Sequence, residues 1–186
     1  MNRITKIYRP EDYPGQPDQA TQQELNTLFE TLCPGSPDPE IDKNHDGVAI
    51  AAHNPGLALR LAQLSGFMSL QMPWSRRADL RDLTVQTVNT YYKCQYSFDT
   101  RKAGAEAAGI STAQQLAIGQ WHTSELFDDE QRLVIEYTDA VLKGEVTDEL
   151  STRVTAAFGE KGTVEFTALI GLFAAWAMIL KATRSD

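Results

Sequence analysis

The apolar residues of this chain recur every three or four positions and nowhere alternate, which constrains its fold more than any other feature. That spacing lines one side of an α-helix, whereas a half-buried strand needs strict alternation. Leu25, Leu28, Phe29 and Leu32 form one stripe, behind a capping-box pattern, Thr21-Gln-Gln-Glu24. Pro34, Gly35, Pro37 and Pro39 end that helix and open a polar loop to about Gly47. Asn54 and Pro55 suit the start of a second helix, with Leu57, Leu61, Leu64 and Met68 on one face. Ser75 is the expected cap of a third, carrying Leu80, Leu83, Thr84, Val88 and Tyr91. A fourth runs from near Cys94 to Ala108 and closes at Gly109, and Ser111-Thr-Ala-Gln114 opens a short fifth. Asp128 and Gly144 bracket a sixth, Thr147 starts a seventh, and residues 163–182 form an apolar last helix. The expected fold is all-α: an N-terminal arm over residues 1–20, then a single-domain helical bundle over 21–186.

Composition excludes several functions. With 17 Lys and Arg against 25 Asp and Glu, the net charge of −8 argues against a nucleic-acid partner. Cys33 and Cys94 are too few for a disulfide framework and fit a reducing, cytoplasmic setting. The N-terminus has no apolar run behind its basic residues, so no signal peptide is expected. Residues 166–180 hold 15 uncharged residues where a span needs about 20, so no membrane partner is expected. His45, His53 and His122 lack the close helical spacing of a metal site, and no phosphate loop or nucleophile elbow is present. The expectation is therefore no metal and no cofactor. Asp42-Lys-Asn44-His-Asp46-Gly47 opens like a calcium loop, but its twelfth position is His53 rather than a bidentate glutamate. An Asx-rich turn is the preferred reading.

The segment over residues 82–109 carries the chemistry. Asp82, then Cys94-Gln-Tyr96-Ser97-Phe98-Asp-Thr-Arg101 with Ala105 and Gly109, resembles the signature of the carboxymuconolactone decarboxylase and alkylhydroperoxidase D-like superfamily. His53-Asn-Pro55-Gly56 resembles that family's helix start, and Val164-Glu165-Phe166 through Phe173 its final helix. The resemblance implies an all-α fold of that type, self-association as a trimer or hexamer, and lactone decarboxylase or thiol peroxidase chemistry. The redox branch pairs its first cysteine with a second, and a histidine follows; here Ser97 and Arg101 occupy those two positions. A serine cannot resolve an oxidised thiol, and a guanidinium stays protonated and relays no proton.

The residues themselves suggest another use. Cys94, Ser97 and Arg101 share one helix face, with Cys94 near a helix N-terminus beside Lys93, where a thiolate is favoured. Arg101 offers a planar fork for a carboxylate, or it pairs with Asp82, Asp99 or a glutamate. Residues 60–102 hold seven Lys and Arg against three Asp, a basic patch that either recruits a small anionic substrate or solvates a helix face. Trp74, Tyr91, Tyr92, Tyr96, Phe98, Trp121 and His122 either line a pocket or are ordinary core. The candidate catalytic set is Asp82, Cys94, Tyr96, Ser97, Arg101 and His53, with Arg101, Trp74, Tyr92, Trp121 and His122 binding substrate. These fit a cofactor-independent lyase or isomerase for a small organic acid, a Cys94-dependent peroxidase or reductase, or a non-catalytic oligomeric ligand-binding protein.

Overall fold

Capping side chains start several helices where the sequence places them. Asn54 accepts from the Leu57 amide at 2.9 Å, and Thr147 Oγ1 accepts from the Leu150 amide at 3.2 Å. Ser111 with Gln114, and Asp128 with Gln131, form reciprocal boxes. Gly109 and Gly144 take the positive φ that ends a helix without a Cβ clash. The computed structural model describes residues 3–184, and among them the chain is all-α, with no strand. The helices are α1 (Gln19–Leu32), α2 (Asp46–Ala51), α3 (Pro55–Leu70), α4 (Ala78–Tyr92), α5 (Gln95–Ala107), α6 (Thr112–Ala117), α7 (Asp129–Lys143) and α8 (Asp148–Thr183).

Four details depart from the expectation. α1 is capped by Asp18, which accepts from the Thr21 amide at 2.8 Å, three residues before the expected start. Ser75 is no cap: it lies in a 3-10 turn, Trp74–Arg76, and its hydroxyl donates to Met68 O, while α4 begins at Ala78. Leu57 and Leu64, placed on the apolar stripe of α3, are exposed, whereas Met68 of the same stripe is buried and Ala58, off the stripe, is buried too. The two expected C-terminal helices run on as α8, broken at Gly159, whose φ of 71° and ψ of 166° suit glycine alone.

The chain forms two compact units, passing from one to the other within α3. The first runs to Gly66 and takes in the stretch from Ala182. Its core includes Leu25, Leu28, Phe29, Ala49 and Ile50, and also Ile7, from a segment expected to have little to bury. Asp46, only 2% exposed, opens α2 and binds Lys6 at 2.5 Å, Arg184 at 3.2 Å and the Tyr8 hydroxyl. That engagement removes an oxygen the calcium-loop pattern needs, and the Asn44 amide closes an Asx turn on Asp42 at 2.6 Å.

The second unit, Phe67–Lys181, packs α4 against both α5 and α7. Its core contains Leu83, Val88, Ile110, Ile135, Phe166, Leu169 and Ile170. By length and composition alone α8 could cross a membrane, yet 44% of its most apolar window is buried in the protein.

Candidate functional site

The site is set by the turn from α4 to α5. Lys93 adopts φ 52° and ψ 42°, the one positive φ at a non-glycine among the described residues. The Lys93 amide donates to Thr90 O at 3.1 Å and the Cys94 amide to Asn89 O at 2.9 Å, closing the six-residue ring of a Schellman cap. A left-handed lysine costs roughly 1–2 kcal/mol, and the turn it makes puts Cys94 at the N-cap of α5. Cys94 is 1% exposed, Ser97 is buried one turn on, and Arg101 follows a turn later on the same face.

A buried amide chain locks this hairpin. Gln86 donates to Phe98 O at 3.1 Å and to Gln115 Oε1 at 2.7 Å. Asn89 donates to Gln86 Oε1 at 3.0 Å, and Gln115 donates to Ile110 O at 2.9 Å and Lys102 O at 3.2 Å. The chain ties α4 to the backbone of α5 and of the loop before α6, so the face bearing Arg101 has little freedom to rotate.

Three charges meet on this face. Arg81 holds both oxygens of Asp82, with Nε at 3.1 Å from Oδ1 and Nη2 at 3.0 Å from Oδ2. Its remaining nitrogen, Nη1, donates to Ser69 O at 3.2 Å and Ser75 O at 3.5 Å. Arg101 lies over the Phe173 ring, 4.7 Å from its centroid, and among the described residues makes no ion pair or hydrogen bond. Asp99 is occupied by Gln95 at 2.8 Å, so the expected local partner is spoken for. Arg101 is solvent-exposed yet flanked by enough protein that lost hydration draws its pKa below the usual value. The charge of Asp82 opposes that shift, and the charge of Arg81 adds to it.

No protein-family model matches this chain, and no solved structure matches it. Over 96 residues it is 38% identical to a protein of Escherichia coli K12 described as "Uncharacterized protein YnjA". The match takes in 50% of this chain and 52% of that one, so the chain spans about half the length of its curated relative.

The other sequence-derived candidates are dispersed. His53 belongs to the first unit, where its Nε2 lies 3.0 Å from Thr5 O. Trp74 belongs to the aromatic core of the second unit, stacked on Phe166 at 4.3 Å, with its indole N–H buried and finding no acceptor among the described residues. Tyr92 meets Tyr91 edge-on at 5.2 Å, and Tyr96 is half-buried on the first turn of α5. Trp121 and His122 stack at 3.7 Å beside a recess of ≈ 310 Å³ that Glu136, Asp139, Glu145 and Glu149 also line, with Lys143 and Arg153. Arg101, Asp82 and Cys94 are not among that recess's walls.

The basic patch is neutralised in part, at Arg60, Arg77 and Arg81. Arg77 binds Asp79 at 2.9 Å and Glu130 at 2.7 Å, and both carboxylates hold its pKa above the usual value. Arg60 lies 3.8 Å from Glu24. Sequence reasoning missed Arg81 as the partner of Asp82 and Phe173 as the ring beneath Arg101. The Arg81-Asp82 dipeptide is visible, but neighbours in a helix do not face each other, so their pairing carries no sequence signal.

Proposed function

We propose that this protein is a cytoplasmic, cofactor-independent lyase or isomerase of the decarboxylase-like kind, acting on a small anionic organic acid, lactone or aromatic catabolite. The observation that carries the reading is Arg101, a guanidinium with no ion pair or hydrogen bond among the described residues, set over Phe173 on a braced helix. A carboxylate there is offered two parallel N–H groups by the fork of Arg101. Loss of CO2, or transfer of a C–H proton to solvent water, leaves an electron pair that an adjacent carbonyl takes up as an enolate; the same guanidinium stabilises that charge until water returns a proton to the carbon. Tyr96 and Ser97, on the first turn of α5, are the groups assigned to orient the substrate. Asp82, with both oxygens on Arg81, suits an electrostatic role better than proton transfer. Self-association as a trimer or hexamer is part of this proposal, supported by the exposure of Val164 and Met178 on α8.

Incubation with a panel of carboxylated lactones and aromatic acids, read by mass spectrometry and chromatography, tests it. Arg101→Leu is expected to lower turnover about 100-fold; undiminished turnover overturns the reading. Binding without product supports the non-catalytic alternative. The position of Cys94 at the start of α5 supports a thiol-dependent second reading, tested by comparing peroxide consumption with a dithiol in wild type and Cys94→Ala.

A further inference from the structure

We propose that Arg81 is a positioning residue for the Arg101 site: by holding both oxygens of Asp82, it keeps that carboxylate off Arg101 and leaves Arg101 open to an external anion. The inference rests on the reading of Arg101 as an anion anchor.

Gln86 binds Phe98 O at 3.1 Å between the packed α4 and α5; Asp82 lies one turn before Gln86 and Arg101 one turn after Phe98, so the hairpin brings the two charges to one level. An ionised carboxylate near an unpartnered guanidinium ordinarily closes into a two-bond pair with it. Such a pair would fill the fork of Arg101 from within the protein. The competing fork is Arg81, whose Nε and Nη2 already occupy Oδ1 and Oδ2 at 3.1 and 3.0 Å. Successive helix residues point in different directions, so this pairing needs the Arg81 side chain to be turned towards its neighbour. The Ser69 and Ser75 carbonyls supply the turn by holding Nη1 at 3.2 and 3.5 Å. Ser69 lies in the last turn of α3, whose carbonyl end favours a cation. Ser75 is itself pinned by its hydroxyl to Met68 O. The two arginines therefore divide the work: Arg81 neutralises the resident carboxylate, and Arg101 remains for the incoming one.

Calorimetric titration with benzenesulfonate, which stays anionic throughout the working pH range, tests both levels. Arg101→Leu defines the site and is expected to weaken binding more than about tenfold; unchanged affinity overturns the anchor reading itself. Arg81→Lys keeps the charge but loses the two-bond clamp, and is expected to weaken binding about tenfold. In R81K/D82N the competing carboxylate is gone, and affinity is expected to return to within about threefold of wild type. A purely structural role for Arg81 would not be rescued by changing Asp82. Wild-type affinity in R81K, or no recovery in R81K/D82N, overturns the positioning role while Arg101→Leu still marks the site. Should R81K not fold, R81Q/D82N strands no charge and is expected to bind within about threefold of wild type; a tenfold loss overturns the proposal by making Arg81 a direct ligand contact.

Discussion

Asp46 in the first unit and Arg101 in the second are both charged groups held close against protein, and the chain treats them in opposite ways. Asp46 is met by Lys6, Arg184 and the Tyr8 hydroxyl, so its oxygens are filled from within. Arg101 rests on a ring, and Asp82, whose charge acts on it, is clamped by another arginine. A saturated charge is a structural device. An exposed one that no described residue pairs with is left to water, and on a braced helix its fork is open to a ligand.

Mutation separates the two cases. Asp46→Asn should destabilise most, by about 3 kcal/mol in urea unfolding, because Lys6 and Arg184 lose their counter-charge in a buried place. Gln86→Leu should cost about 2 kcal/mol by stranding Asn89 and Gln115, and should weaken anion binding as the face of α5 loosens. Arg101→Leu should shift stability by less than about 1 kcal/mol, since only its contact with the Phe173 ring is lost and an unpaired cation is relieved. A loss as large as that of Asp46→Asn would make Arg101 a structural ion and erase the contrast. Smallest is the effect of Asp79. Burial alone would raise its pKa, but the hydrogen bonds and charge of Arg77 outweigh that and lower it. The stabilisation is present above the unfolded carboxylate value near 3.9 and is lost as pH falls through the lower folded value. Half-exposed, the pair contributes a few tenths of a kcal/mol, so acid-unfolding curves of wild type and Asp79→Asn should differ by that little.

The helices whose ends are written in adjacent residues were legible. Ser111 with Gln114, Asp128 with Gln131, and Gly144 each act within one turn, where sequence and structure share a length scale. The six-residue α2 was not legible, because no side chain caps it and its first residue is held by Lys6, Tyr8 and Arg184 from distant parts of the chain. The stripe of α3 misled for a related reason: it is apolar nearly all round, so periodicity does not say which leucines face water. At the site, the shared face of Cys94, Ser97 and Arg101 followed from their spacing on one helix. The Arg81 clamp depends on Ser69 and Ser75 carbonyls, and the ring under Arg101 comes from Phe173, 72 positions on. Neither arrangement leaves a local pattern to read.

Arg184 has a bearing on how the protein is made. Ile4 donates to Thr183 O at 3.2 Å, and Asp46 meets Arg184, so the first unit is closed by residues synthesised far apart in time. Until residues 182–184 emerge, Asp46 lacks its contact with Arg184, while residues 67–181 can already pack. A change at Thr183 or Arg184 is therefore felt at Ile4 and Asp46, and its effect should be read there.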